Sequence, residues 1–434
     1  MDRCPSSLPV AVCVLMGSFL CNLIHVSYGQ TSQELAPQTL LHGGLNDVIA
    51  VCFSKSGNEL AAVDSEGLLA IWQIDQKKLI GKVQLSDGMG DLPCLEWDAD
   101  GTKLLIWSHK VGAFVIDPRS MKQTTIFSKS KGLQGTIPYR YRSTQDLRLS
   151  PDGKSLLRVQ SPLIDVTDEV QASDSVPSYL EEINIETEKV LSLDAPRYIM
   201  CVEYYQNGQF LLTDLDATLL KGDLNPGSQK TQVLRKTSKK RQELYDNITI
   251  IYRGILGLSA DQKYAVVSGV SGEFKYDESG EVKNSISGVV DVFQLDPLEK
   301  IKTLPFTKIN FEDQRISNIF SQLNTVCISP DGSYIAAGSL SGIIQIWNRK
   351  NMQTVRVINL KYEETPRDIH FAPGRQPLCA FIAGCEYSFY LIDLNKKRDF
   401  KLSAVQTFDW SADGKQLAVG GGEDGAVLIF HMEE

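Results

Sequence analysis

The chain has 434 residues, of which 42% are hydrophobic and 22% are charged, and its formal net charge is −9. This length allows a large core, divided among two or three ordinary domains or built as one long repeat array. Because phosphate contacts require a basic surface, the acidic balance argues against a general polyanion binder, and we expect no nucleic-acid partner.

The N-terminus differs in composition from everything that follows. Residues Leu8–Leu23 are nearly all apolar, and the small residues Ser27 and Gly29 precede the polar Gln30. Such an arrangement is typical of a signal peptide, so we predict one over residues 1–29 and expect an exported protein, periplasmic or secreted. The alternatives are an uncleaved membrane anchor, which would bring the protein to a membrane, and a cytoplasmic protein with a misassigned start.

The rest of the chain repeats a turn of the Ser-Pro-Asp-Gly type. The interval between turns is about forty to fifty-five residues, with one longer interval, which is typical of a propeller. Each turn follows an alternating apolar run, and the clearest repeat, Leu323–Ile358, contains four such runs. Short runs rich in β-branched and aromatic residues, separated by tight turns, predict antiparallel strands, and four of them make one propeller blade. The turns are Ser54–Gly57, Asp98–Gly101, Ser150–Gly153, Gln206–Gly208, Ser259–Gln262, Ser329–Gly332, Ala372–Arg375 and Ser411–Gly414.

These repeats predict an all-β chain that forms one closed propeller over residues 30–434. Eight turns favour eight four-stranded blades, and seven blades are the alternative because the fourth repeat and Asn395–Leu402 are weak. The last repeat ends after its third strand, Ala426–Phe430, while Pro37–Leu41 precedes the first repeat. We predict that these two segments pair and close the ring, because closure removes two exposed sheet edges.

Over most of Pro37–Glu434, SPDG and SADG turns followed by strands that end in Ile-Trp or Ile-Phe resemble WD40 repeats. The family's hydrogen-bonded tetrad is degraded, since Gly44 and Glu66 occupy two of its positions in the first repeat and Ser341 replaces its aspartate in the sixth. Strand packing is therefore expected to supply most of the stability of each blade. The structural repeat positions are Trp72, Trp347, Asp424 and Phe430.

Three insertions interrupt the repeats: the acidic Leu163–Lys189, the basic Arg235–Arg241 and the polar hairpin extension Gly269–Gly288. The acidic segment offers oxygen ligands but lacks the glycine and the spacing of a calcium loop, so a solvated loop is favoured. Because loops at a propeller rim often carry specificity, we predict partner contacts in the other two. The candidate partner-binding residues are Arg235, Lys236, Lys239, Lys240, Arg241, Phe274 and Tyr276.

Residues suited to chemistry are sparse. The histidines after the leader fall in different repeats without a nucleophile motif, and His370 is expected to be structural. The spacing of the Cys and His residues does not suit zinc. Cysteines in the first strands of their repeats are expected to act as small buried hydrophobes. Only Cys379 and Cys385, in adjacent strands of one blade, are placed for a disulfide. The histidines are His42, His109, His370 and His431, and the first-strand cysteines are Cys52, Cys94, Cys201 and Cys327.

The sequence therefore predicts a non-catalytic scaffold that binds other proteins, with no cofactor or metal, and we expect a monomer. The alternative is a propeller enzyme of the lactonase or hydrolase kind, with its site on the axis. That alternative requires several Asp, Glu, Asn or His side chains to converge from the innermost strands, whose first residues are mostly apolar or scattered polar ones.

Overall fold

The structure is a computed structural model. It describes residues 37, 39–85, 88–89, 94–108, 111–128, 142–162, 179–194, 199–205, 208–214, 219–223, 232–233, 255–276, 282–307, 321–360, 364–374, 377–384, 387–395, 399–421 and 425–432. In this part of the chain there is no helix long and apolar enough to cross a membrane.

Within the described residues, the strands form eight four-stranded antiparallel sheets, so eight blades are confirmed and seven are excluded. The chain begins with β1 (Thr39–His42), which belongs to the last blade. Blade 1 has β2 (Val48–Phe53), β3 (Glu59–Asp64), β4 (Leu68–Gln73) and β5 (Lys78–Gln84), and blade 2 has β6 (Cys94–Trp97), β7 (Leu104–Ser108), β8 (Gly112–Asp117) and β9 (Lys122–Ser128). Blade 3 has β10 (Arg142–Leu149), β11 (Ser155–Pro162), β12 (Tyr179–Asn184) and β13 (Val190–Asp194), and blade 4 has β14 (Ile199–Tyr205), β15 (Gln209–Asp214), β16 (Leu219–Asp223) and β17 (Gln232–Val233).

The remaining blades follow the same order. Blade 5 has β18 (Leu256–Leu258), β19 (Tyr264–Tyr276), β20 (Val282–Leu295) and β21 (Leu298–Pro305), and blade 6 has β22 (Leu323–Ile328), β23 (Tyr334–Ser339), β24 (Ile343–Asn348) and β25 (Gln353–Asn359). Blade 7 has β26 (Pro366–Phe371), β27 (Leu378–Ala383), β28 (Ser388–Asp393) and β29 (Asp399–Leu402), and blade 8 has β30 (Thr407–Trp410), β31 (Gln416–Gly420), β32 (Ala426–His431) and β1.

Hydrophobic clusters lie between neighbouring blades, one for each of the eight interfaces. A blade has two apolar faces and cannot bury both alone, so each cluster takes side chains from two sheets. The cluster between blades 8 and 1 contains Leu41, Trp72 and Val427, which come from both ends of the chain. Strand β1 pairs with β32 in the register Thr39↔Ile429 to His42↔Ala426, so the strand expected at Pro37–Leu41 begins two residues later and ends one residue later.

Long and short connections lie on opposite faces of the propeller. Successive strands of a blade are antiparallel, so its first and third connections leave one face, and its second connection and the link to the next blade leave the other. We call these the tight-turn face and the long-loop face. Strands β19 and β20 continue from Val270↔Gly288 to Tyr276↔Val282, beyond their neighbours, as the predicted hairpin extension on the long-loop face.

The predicted acidic insertion was too long. Its last part, Tyr179–Asn184, is β12, the third strand of blade 3. Leu180 and Ile183 are buried in the two opposite interfaces of that blade, which makes a strand more favourable than a loop despite the neighbouring glutamates. Residues 163–178 lie outside the described residues.

Three of the exposed aliphatic residues on the outer strands lie at β-bulges. Ile80, Ile301 and Val355 are 37%, 41% and 44% exposed. Each lies on the fourth strand of its blade, at a shift in register, and has no paired residue on the third strand. A bulge interrupts the regular row of backbone groups on an edge strand and so protects that edge from pairing with another chain.

The recurring turn is held by one serine. Ser329 Oγ donates to Asp331 Oδ1 at 2.6 Å and accepts from the backbone N–H of Tyr334 at 2.8 Å. Gly332 has a φ of +69°, a conformation that favours glycine. The same serine–aspartate bond recurs at 2.7 Å in Ser150–Asp152 and in Ser411–Asp413. The motif therefore reflects a local hydrogen-bonded turn that starts the second strand of the blade.

We expect Ser329→Ala to lower the free energy of unfolding by about 1 to 2 kcal/mol, because it removes the acceptor of a buried backbone N–H. Chemical denaturation measures this change. Ser403→Ala, at an exposed serine, is the control and is expected to change stability little. Equal stability of the two variants would show that the serine does not hold the turn.

Candidate functional site

The innermost strands carry two rings of residues around the axis. The turn sets the register of these strands. We take Ser329, and the residue at the same place in each other blade, as the reference position; in blade 4 this residue is Tyr205. The residues two before it form the lower ring, near the tight-turn face, and all eight are at least partly exposed. The residues four before it form the upper ring. The lower ring is Cys52, Glu96, Arg148, Glu203, Gly257, Cys327, His370 and Asp409, and the upper ring is Ala50, Cys94, Asp146, Cys201, Ile255, Thr325, Asp368 and Thr407.

Side chains from these rings join several innermost strands to that of the following blade. Glu96 Oε2 accepts from Leu149 N at 2.9 Å, and Asp146 Oδ2 accepts from Val202 N at 2.9 Å. Asp409 Oδ2 accepts from Phe53 N at 2.7 Å across the junction of blades 8 and 1. Innermost strands are edge strands, so their outward N–H groups need acceptors, and carboxylates make charge-assisted bonds to them.

Arg148 binds two carboxylates of the rings, Asp146 and Glu203. Its Nη1 lies 2.6 Å from Asp146 Oδ1, and its Nε donates to Glu203 Oε1 at 3.0 Å. The three side chains are 10% to 28% exposed. Removal of the guanidinium would leave two carboxylates in a poorly solvated place, so Arg148 is a structural counter-ion between blades 3 and 4.

His370 is paired on the opposite side of the axis. Its Nε2 lies 2.7 Å from Asp368 Oδ1, and the two side chains are 57% and 49% exposed. Asp368 raises the pKa of His370 to about 9, so the imidazole is a cation at neutral pH. Burial acts to raise the pKa of Asp368, but the charge of His370, its hydrogen bond and the backbone N–H of Ile369 together lower that pKa. Because solvent screens both groups, the pair contributes little to stability.

Glu96 has the most perturbed carboxyl of the rings. Burial raises its pKa to about 7, although nearby Arg148 acts in the opposite direction. Burial also raises the pKa of Glu203 and of Asp409. These carboxylates are therefore costly to ionise, and each has a hydrogen-bond partner within the protein.

The first-strand cysteines pack against hydrophobic clusters, as predicted, but they are half-buried rather than fully buried. Cys52, Cys94, Cys201 and Cys327 are members of the rings. Burial raises the pKa of all four thiols, to about 12 for Cys94, so they are un-ionised at neutral pH. Cys379 is a buried free cysteine, and its predicted partner Cys385 lies outside the described residues.

Three of the four predicted repeat positions lie among the described residues, and all three are buried. Trp72 and Trp347 are 1% exposed and Phe430 is 0% exposed, each in a cluster between blades. Asp424 lies outside the described residues. The backbone of Gly43 passes so close to the Trp72 ring that a Cβ at Gly43 would lie 2.6 Å from Cζ2.

The candidate binding residues are less well described. Phe274 and Tyr276 lie on β19 in the hairpin extension, paired with Asn284 and Val282. The basic run Arg235–Arg241 lies outside the described residues. Whether these residues contact a partner stays a prediction.

Sequence reasoning missed the convergence of carboxylates on the axis and the role of Asp64. Asp64 is 1% exposed and accepts from Asn46 N at 3.0 Å and from Leu68 N at 2.8 Å. It joins the loop before blade 1 to the turn between β3 and β4, although it lies two residues before the tetrad position at Glu66. Polar residues at two and four before each turn were the available signal for the rings. Among the described residues, no group of three or more His, Cys, Asp or Glu is placed to hold a metal ion.

The pKa of Glu96 gives a pH-dependent prediction. Unfolded Glu96 ionises near the ordinary glutamate pKa of 4.5 and folded Glu96 at about 7. Between these values the folded chain binds more protons, so stability falls as the pH rises through this window. We expect Glu96→Gln, which keeps an acceptor for Leu149, to raise the free energy of unfolding at pH 8 by about 1 to 2 kcal/mol and to have little effect at pH 4.5.

Urea denaturation at several pH values measures this effect. Glu66→Gln, at an exposed glutamate in the turn after β3, is the control. If Glu96→Gln raised the free energy of unfolding equally at pH 4.5 and pH 8, the raised pKa of Glu96 would not be the cause of the gain.

Comparison with known proteins agrees with this architecture. The family model "WD domain, G-beta repeat" matches residues 317–348, which include β22 to β24. The chain is 30% identical over 109 residues to "Cross-pathway control WD-repeat protein 2" of Flammulina velutipes and 33% identical over 115 residues to "MST50-interacting protein 11" of Pyricularia oryzae. Each match covers 23% of this chain, and the chain spans about a third (34%) of each relative's length.

The fold is shared with a solved structure over nearly the whole chain. The crystal structure of Saccharomyces cerevisiae Sqt1 superposes with a TM-score of 0.58 at 12% identity, covering 93% of this chain and 100% of that one. At this identity the similarity shows the fold alone. The chain therefore forms eight four-stranded propeller blades, its residues 317–348 match a WD40 repeat, and it is similar to WD-repeat proteins.

Proposed function

We propose that this protein is a non-catalytic scaffold that binds other proteins on the surface of its propeller. The observation that carries the proposal is the state of the axis, where each of the five ring carboxylates is hydrogen-bonded or ion-paired within the protein. A rigid ring of sheets offers a broad preformed surface, and preformed surfaces bind with little ordering cost. The printed name of one relative, "MST50-interacting protein 11", describes it by its interaction with another protein.

The axial enzyme is the alternative function, and the convergent carboxylates are what it requires. A general acid or base must release its internal partner to reach a substrate. Here the release of Glu96, Asp146 or Asp409 would break a contact between two blades. We therefore favour binding over catalysis.

Export is part of the proposal and rests on the composition of residues 1–29. We expect the mature protein to begin at Gln30 and to be recovered outside the cytoplasm. Mass spectrometry of the N-terminal peptide from the natural host measures this. A soluble protein that retains Met1 would show that the segment is not a cleaved signal peptide.

Capture of partners tests the scaffold and its predicted contact residues together. We expect the wild type, purified from its host after cross-linking, to retain specific proteins, and two variants to lose some of them. The first variant changes the five cations of Arg235–Arg241 to Gln. The second replaces residues 272–286 by Asn-Gly, a two-residue turn that suits the pair Ser271↔Ser287.

The control carries five lysine-to-glutamine changes at exposed positions in or beside outer strands: Lys78, Lys82, Lys122, Lys302 and Lys350. Partner sets identical in all four proteins would reject both loops as contact sites. Failure of the wild type to retain any protein would reject the scaffold.

A further inference from the structure

Arg367 is an exposed cation on the long-loop face for which the described part of the chain offers no counter-ion. Arg367 is the second residue of β26, is exposed, and lies where the chain enters blade 7 from that face. Its guanidinium carbon lies 4.8 Å from the centre of the Tyr387 ring. Among the described residues, no carboxylate lies within ion-pair distance of it. A guanidinium stacked on an aromatic ring keeps its in-plane N–H groups available for a planar acceptor.

The described charges around Arg367 are paired. Asp368 binds His370 at 2.7 Å. Glu364 accepts from Tyr390 Oη at 2.5 Å and from Lys401 Nζ at 3.1 Å, and Lys401 also lies over the Tyr390 ring. Among the residues that the structure describes next to these pairs, Arg367 is a cation without an acidic partner.

Equivalent positions in neighbouring blades have a structural role that Arg367 lacks. Arg367 is the bulged residue between Pro366 and Asp368. In blade 6 the equivalent Asn324 donates to the Pro366 carbonyl of the next blade, and in blade 8 the equivalent Gln406 donates to Asp47 of blade 1. Arg367 contacts instead a tyrosine of its own blade. The same bulge recurs in the first strands of blades 1, 3, 4 and 6, so it belongs to the fold, and in blade 7 it leaves the Arg367 side chain exposed.

Tyr387 is held in a conformation that L-residues rarely adopt. Its φ is +51°, and its carbonyl accepts from Val405 N at 2.9 Å. Backbone strain of this kind persists where the surroundings fix it, and it often accompanies functional sites. The Tyr387 backbone is thus tied to the segment between β29 and β30, and its ring stacks with the Arg367 guanidinium.

We propose that Arg367, supported by Tyr387, binds a carboxylate of an acidic segment in a protein partner. Arginine and carboxylate form paired, planar hydrogen bonds, and arginine and tyrosine are enriched at the energetic centres of interfaces. The proposal rests on the proposed scaffold function and names the chemistry of one partner contact. The formal net charge of −9 disfavours non-specific binding of acidic segments elsewhere, which makes a local site easier to measure.

A fluorescein-labelled hexaglutamate peptide, followed by fluorescence anisotropy at low and moderate salt, tests this site on the full mature chain. We expect salt-sensitive binding to the wild type and a loss of at least about tenfold in affinity for Arg367→Met. Arg367→Lys is expected to bind with intermediate affinity, because lysine keeps the charge but not the planar donors.

Arg349→Met is a matched control. Arg349 also stacks on a tyrosine, with its guanidinium carbon 3.7 Å from the centre of the Tyr264 ring, but it lies on the tight-turn face and its Nε donates to the Gly332 carbonyl. We expect this variant to bind hexaglutamate as the wild type does. Circular dichroism and thermal unfolding confirm that both Met variants are folded.

Three results would overturn the proposal: no measurable binding to the wild type, equal binding to the wild type and Arg367→Met, or equal losses in the two Met variants. If a phosphoserine peptide binds more tightly than hexaglutamate, and this binding requires Arg367, the group bound by Arg367 is a phosphate and not a carboxylate. Partner capture by the wild type is a separate measurement. Captured partners without hexaglutamate binding would reject this inference alone, whereas capture of none would reject the scaffold.

Discussion

The structure depends on how the innermost strands satisfy their exposed backbone groups. A closed propeller removes edges at its ends, but the inner edge of every blade still faces the axis. Here Glu96, Asp146 and Asp409 each accept an N–H from the following blade. The same bonds join neighbouring blades at the axis, in addition to the hydrophobic clusters that fill the interfaces between blades.

That constraint explains how the fold persists with a degraded tetrad. Interfaces between blades are filled by buried aliphatic and aromatic side chains, with Trp72 and Trp347 among the largest. Asp64 replaces part of the missing hydrogen-bond network from a neighbouring position. Since burial between sheets supplies most of the stability, repeats can lose the family's polar residues while the eight blades remain.

The two faces of the propeller are suited to different tasks. On the tight-turn face, short serine-aspartate turns bind their own backbone, and Arg349 is bonded to the adjacent turn. On the long-loop face the connections vary in length, the hairpin extension of blade 5 projects, and Arg367 keeps its hydrogen-bonding capacity. The short turns of one face are bonded to their own backbone, and the contact proposed at Arg367 lies on the other face.

Local sequence by itself predicted most of the strands, the turns and the extension at Gly269–Gly288, and it favoured eight blades over seven, because strand periodicity and turn chemistry act over a few residues. It also identified Trp72, Trp347 and Phe430 as core positions. Only the tertiary structure decided that Glu96, Arg148 and Asp409 meet around one axis, since they are far apart in the chain and meet only when the ring closes. The ion pairs among the charged residues near Arg367 also became visible only in the folded chain. The net charge does not show which charged residues are neighbours.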